Sequence, residues 1–260
     1  MTSFELEETE MDLVMKPAMK IIPSPDFIRD EAIENIDKNK LKKTYVETHF
    51  SEIVDLVMSS VYRKFISYQK LASKSLIETY MQKYSTEIEK SKFGNNKLVR
   101  TVLESFEPLA RQFEFRLGQM RKNRAGSDFE NIIVYLLGII GIQCEKTSRL
   151  KNAKLNRIDI VLPDRDTAIN KPDKAIFLTL KHTLRERWKQ SLPEQKRGWI
   201  MYVLTLDENI SNDKANEMNE IGLIMYVKDE LKARPHISEK RLIRKLSDLP
   251  NALNFHTKSV

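Results

Sequence analysis

The chain has 260 residues, 41% of them apolar, which is enough to bury an ordinary core in one large domain or two modest ones and excludes a disordered polymer. Lysine and arginine outnumber aspartate and glutamate by 44 to 37, and the resulting charge of +7 at pH 7 favours a polyanionic partner, a balance that plain soluble basic proteins also show. The lone Cys144 excludes an intrachain disulfide and a cysteine-rich zinc site. The longest apolar stretch, residues 132–142, is too short to span a bilayer, and the acidic residues 1–10 lack the n- and h-regions of a signal peptide, so a cytoplasmic protein without a membrane partner is expected.

Residues 1–25 carry Pro17, Pro23 and Pro25 and are expected to form an extended lead-in without regular structure. From Ser51 onward Ile53, Val54, Val57, Met58, Val61, Phe65 and Ile66 recur at three and four residues, the stripe of an amphipathic helix. Further helical patterns cover roughly residues 71–90 and 97–122, separated by a turn at Gly94-Asn95-Asn96. Ser127 and Glu130 match a capping box ahead of an apolar run, which predicts a new helix and a new domain there. After Gly141 the period shifts to two: residues 157–162 and 174–181 predict strands, followed by a helix from about Leu184. Residues 199–206 and 223–227 predict two more strands, and 211–220 and 238–247 two helices. The fold class is therefore α/β, with a mixed central sheet flanked by helices and an N-terminal helical subdomain; the division expected is a mainly helical region 1–122 and an α/β core 123–260.

The chemistry concentrates around Lys181, which closes an apolar strand. Cleaving a phosphodiester calls for a divalent cation held by carboxylates, with a positive group beside it. On the preceding strand, alternation puts Arg157, Asp159 and Val161 on one face, so Asp159 is an acid in a half-buried strand. It either binds a cation or pairs with an arginine such as Arg157; the strand pattern leaves both open. On the next strand Phe177, Thr179 and Lys181 share a face, and threonine stands where an acid two residues before the lysine would sit. Glu194, thirteen residues past Lys181, is the best placed substitute, and a solvated glutamate at a helix start is its plainer reading. Asp164 in Pro163-Asp164 is a rival to Asp159, but it follows the proline at the strand end, as a turn residue would. Trp188 and Trp199 adjoin apolar faces and are expected in the core; His49, His236 and His256 show no metal-ligand spacing, and His182 by alternation points to the opposite face from Lys181, where a packing or hydrogen-bonding role is expected.

Beyond the lysine, Arg185-Glu186-Arg187 places three ions in succession, and consecutive helical residues do not share a face, so an intrahelical ion pair does not account for them. Each arginine can grip guanine O6 and N7, and Glu186 can accept from the amino group of cytosine. The alternative is a solvated charged face.

Taken together, Lys181, Arg185-Glu186-Arg187-Trp188 and Glu194 resemble the EcoRII, SsoII and PspGI branch of type II restriction endonucleases, within the PD-(D/E)XK nuclease superfamily; Arg124-Ala125-Gly126 and Glu130 match a further segment of that branch. The resemblance runs from about Arg121 to Val227. It implies that Asp159 and Glu194 ligate Mg²⁺, that Lys181 orients or deprotonates the attacking water and contacts the phosphate, and that Glu130 stands close behind them or on a second ion. It also implies that Arg124, Arg185, Glu186 and Arg187 contact DNA. The implied protein is a homodimer that cuts double-stranded DNA at a palindrome with CC and GG around a short centre, in a restriction-modification system, with no small-molecule cofactor, and flips the central nucleotides out. For that pocket Tyr62, Arg63 and Phe65 have suitable chemistry, although Phe65 also suits a core position. Ile158 in place of the family's proline, and His182 after the lysine, depart from the pattern. Two rival readings are a DNA-binding protein that no longer cuts, which Thr179 admits, and a structure-selective repair or junction nuclease.

Overall fold

The computed structural model describes residues 8–86, 89, 96–147, 155, 158–184 and 199–258. They divide into two compact units: the stretch up to Ala32 with Ser60–Arg124, and Ile33–Ser59 with the chain from Ala125 onward. Residues 33–59 thus belong to the α/β unit, although they lie among helical sequence.

In the first unit the proline-rich lead-in is helical, contrary to the sequence expectation. Helix α1 (Glu8–Lys20) accommodates Pro17 because Val14, Met15 and Ala18 form a buried stripe that outweighs the missing hydrogen bond. Helix α2 (Pro25–Glu34) begins on Pro25, where a missing N–H is harmless, and Ser24 Oγ accepts the Phe27 N–H at 3.3 Å as its cap. The unit is completed by the later part of α4 (Phe50–Lys83) and the earlier part of α5 (Asn96–Ile140). Phe65, Ala72, Leu76, Leu109, Phe113 and Leu117 are buried there, and the Tyr80 hydroxyl donates to the Val102 carbonyl at 2.8 Å. Glu31 accepts from both Lys64, at 2.7 Å, and the Tyr68 hydroxyl, at 2.8 Å.

The capping box at Ser127 does not start a helix. Helix α5 runs unbroken through it for 45 residues, because Leu109, Phe113 and Leu117 before it and Phe129, Ile132, Ile133, Leu136, Leu137 and Ile140 after it are each buried at helical spacing within their own unit. It ends at Gly141, whose φ of 83° is one that glycine adopts without penalty, and the Ile142 N–H reaches back to the Leu137 carbonyl at 2.9 Å to satisfy the last turn.

The second unit also holds α3 (Lys43–Thr48) and is organised by six strands in sequential order. Strand β1 (Glu145–Lys146) pairs antiparallel with β2 (Ile160–Leu162), and β2 with β3 (Ile176–Lys181). From β3 onward β4 (Ile200–Thr205), β5 (Ile224–Val227) and β6 (Ile243–Lys245) add in parallel. The strands are buried on both faces, so they read as apolar runs. On one side Val161, Phe177 and Met201 pack with Ala168 of α6 (Arg165–Asn170), and Trp199 stacks on Phe177 with centroids 4.3 Å apart. Further along, Val203, Met225 and Ile243 pack with Ala215 and Met218 of α7 (Asn212–Glu220), which Ser211 caps. The helix expected at 238–247 is instead the short α8 (Asp229–Lys232) and α9 (Pro235–Ser238), strand β6, and then α10 (Leu249–Lys258). The charged run around Ile243 is locally helix-compatible, but pairing Met225 with Ile243 and Val227 with Lys245 at the sheet edge overrides that preference. Among the described residues no helix is long and apolar enough to cross a membrane.

Phe177 is fully buried beneath Trp199, so Phe177→Ala is expected to destabilise the protein by about 3–5 kcal/mol. Equilibrium denaturation of the two proteins measures this, and a loss below about 1 kcal/mol would show that the stack is not part of a tight core.

Candidate active site

Asp159 stands immediately before β2 but is already in the ladder: its N–H donates to the Leu178 carbonyl and its own carbonyl accepts from Thr147, both at 3.0 Å. Ile158 and Ile160 beside it are buried, so the strand is anchored on either side of the acid. The Asp159 carboxylate lies along β3, where Oδ2 accepts the Leu180 N–H at 2.6 Å and the Lys181 ammonium approaches the same oxygen at 3.5 Å. Both side chains are about one-fifth exposed, 21% each. Two residues that lie 22 positions apart in sequence thus meet at the end of β3 because β2 and β3 are antiparallel, with Ile160 opposite Leu178.

Glu130 arrives from α5. Its Oε2 lies 3.0 Å from the ammonium of Lys146 on β1, and that lysine also donates to Asn131 Oδ1 at 2.8 Å. Burial pushes the Asp159 carboxyl above its ordinary range, against the pull of Lys181, the Leu180 N–H and Lys146. Burial raises Glu130 as well, opposed by Lys146, and the Asp159 charge adds to the rise. The two acids therefore share one electrostatic environment whose positive charge, two lysines, does not fully compensate their desolvation.

Lys146 was not foreseen from sequence. A two-residue strand leaves almost no alternation to read, and the lysine's importance comes from β1 pairing, Lys146 opposite Ile160. Thr179 is fully buried within β3, opposite Val203. Asp164 does not join the cluster: it caps α6, accepting the Thr167 N–H at 2.8 Å, and that bond holds its carboxyl below the ordinary range. His182 sits by Lys228 and Asp207; burial depresses its pKa, and Lys228 adds to this while Asp207 opposes it.

Arg185, Glu186, Arg187, Trp188 and Glu194 lie outside the described residues. The chain is fixed just before them, where buried Leu184 donates its N–H to Asp207 Oδ2 at 2.8 Å. Arg124 belongs to the first unit, where it is buried, its guanidinium lying over the Phe65 ring at 4.6 Å and donating to the Pro23 carbonyl. The Arg-Ala-Gly segment is part of the continuous helix α5 and does not precede a helix start. Phe65 takes its core position, while Tyr62 and Arg63 are exposed. Among the described residues no group of three or more histidine, cysteine or acidic side chains is gathered to hold a metal ion.

A family model, EcoRII C terminal, matches residues 85–249, more than half of the chain and all of the cluster. The chain belongs to the EcoRII C-terminal family. The type II restriction enzyme SsoII of Shigella sonnei is 28% identical over 148 residues, which cover 54% of this chain and 48% of that protein, so the match spans about half the relative's length. Metal-depleted Ecl18kI in complex with uncleaved DNA shares the fold with a TM-score of 0.81 at 17% identity, over 98% of this chain and 86% of that one. The PspGI restriction endonuclease in its substrate DNA complex matches with a TM-score of 0.65 at 21% identity, over 94% and 96%. Within the family fold the mixed six-stranded sheet is the platform, and the ends of β2 and β3 carry the cluster.

Asp164→Ala is expected to cost about 0.5–2 kcal/mol of stability through loss of the α6 cap. Its effect on any DNA cleavage, measured below the melting transition, is expected to be within about two-fold of wild type. Loss of cleavage in a folded Asp164→Ala protein would return that residue to the site.

Proposed function

We propose that this chain is a type II restriction endonuclease, a cytoplasmic homodimer that uses Mg²⁺ to hydrolyse double-stranded DNA at a palindromic site with CC and GG around a short centre, within a restriction-modification system. The observation that carries the reading is the Asp159–Lys181 approach at 3.5 Å, with Glu130 electrostatically coupled to both, in a chain of the EcoRII C-terminal family. The solved relatives of the same fold are DNA complexes, and the net charge of +7 suits a phosphate-lined partner.

The donor set fits a hard divalent cation: two carboxylates, both raised by burial and both short of positive charge. Asp159, with Glu194, would hold the ion and Glu130 would stand behind them; a divalent cation held there would supply charge to neutralise phosphate oxygens and would lower the pKa of a water. The protein's own groups do the rest. The Leu180 N–H holds the Asp159 carboxylate through Oδ2, which fixes its placement beside Lys181. The Lys181 ammonium, beside that carboxylate, is placed to donate to a phosphate oxygen and to orient the attacking water. Arg185, Glu186 and Arg187 follow within six residues of Lys181 and would read adjacent G·C pairs from the major groove, so that recognition and chemistry share one stretch of chain. A palindromic target suits a two-fold dimer, one site for each strand.

A second reading, a site-specific DNA-binding protein that does not cut, rests on Thr179, which is fully buried where the commoner nuclease pattern has an acid. Digestion of plasmid DNA with Mg²⁺ separates the two: discrete fragments with a common terminal sequence support cleavage, and retarded but intact DNA supports the binder.

Lys181→Ala is expected to lower cleavage at least about 10³-fold while duplex retention persists, and Glu194→Ala to do the same. Wild-type turnover by the lysine variant contradicts the catalytic assignment. Arg187→Ala should lose about 1–3 kcal/mol of discrimination at a single G·C pair in competition binding. Equal weakening on all sequences would instead mark a phosphate contact.

A further inference from the structure

Lys146 has no part in the catalytic assignment above, yet it is held in the same cluster by three constraints. Pairing of β1 with β2 sets it opposite Ile160, the neighbour of Asp159. Its ammonium lies 3.0 Å from Glu130 Oε2 and donates to Asn131 Oδ1 at 2.8 Å. Its side chain is only 24% exposed, so the charge is weakly screened, and it acts electrostatically on Asp159 as well.

The cluster therefore contains two carboxylates and two ammonium groups, and the two ammoniums do different jobs. Lys181 contacts Asp159 from the strand where the reacting phosphate is expected. Lys146 contacts Glu130 from the sheet's first strand, on the acid that would stand behind the ion. An ammonium there repels a divalent ion held at Asp159, a carboxylate its charge already reaches.

We propose that Lys146 is a positioning residue and the resident counter-cation of the site: it holds the Glu130 carboxylate in place in the ion-free protein and opposes entry of a divalent ion beside it. The inference rests on the metal-dependent reading of the site. It makes metal affinity a property set by a lysine that touches neither DNA bases nor the attacking water.

The test is binding of Mn²⁺ alone to the full chain, followed by the paramagnetic resonance signal of the free ion at about pH 8, where ordinary carboxylates are ionised. Lys146→Gln is expected to bind Mn²⁺ at least about five-fold more tightly than wild type, and Lys146→Arg, which keeps the charge, to restore wild-type affinity. Lys146→Met, of similar length and uncharged, should tighten binding like the glutamine variant and serves if the latter does not fold; far-ultraviolet circular dichroism establishes folding for each. Unchanged or weaker Mn²⁺ affinity in a folded uncharged variant, tightening in the arginine variant as well, or no binding in any of the proteins overturns the proposal. DNA digestion by wild type tests the nuclease reading separately, so a protein that cuts DNA but shows no Lys146 effect sinks this inference alone.

Discussion

The Asp159 carboxylate is gripped from one side by a backbone N–H and a lysine of the next strand, and the arrangement of the site follows from that grip. Removing a carboxylate from water is unfavourable by several kcal/mol unless charge and hydrogen bonds replace the lost solvation. Here Leu180 supplies a hydrogen bond and Lys181 a charge, yet burial still dominates and the carboxyl stays above its usual range. The antiparallel register of β2 and β3 makes the meeting possible, because only that pairing returns residue 181 to residue 159.

Around this pair the structure spends two long-range devices. Helix α5 carries Glu130 within a single 45-residue rod that ends on Gly141, after which the chain turns directly into β1. The chain therefore delivers Glu130 and Lys146, only sixteen residues apart, as a preformed ion pair beside the strand acid. Further along the sheet the parallel strands β4 to β6 pack against an apolar cluster, and Lys228 after β5 is held by Asp55 at 3.0 Å and Glu208 at 2.8 Å. Such closure leaves the charged groups concentrated where β3 ends.

How much of this was legible depended on the range of the interaction concerned. Strands β2 to β5 and helix α7 were readable because short apolar runs and the Ser211 cap are local signals. Lys181 and Asp159 were readable as strand residues of the wrong polarity. The helical lead-in was not, since Val14, Met15 and Ala18 reward helix formation only when packed, and Pro25 is a helix starter as readily as a breaker. The Ser127–Glu130 pattern imitated a start because its spacing is also compatible with the interior of a helix. β6 was hidden by a helix-compatible charged sequence that edge pairing redirected, and Lys146 by a strand too short to show a period. Arg124 was assigned from a motif, whereas its burial against Phe65 and Pro23 depends on residues 59 and 101 positions away.

The central claim is that Asp159 anchors a divalent ion beside Lys181. Anomalous diffraction from crystals of the protein grown with duplex DNA and Mn²⁺ tests it most directly. A peak is expected within coordination distance of an Asp159 carboxylate oxygen, about 2.0–2.2 Å. A peak held by other acids, with the Asp159–Lys181 pair left intact, would contradict it.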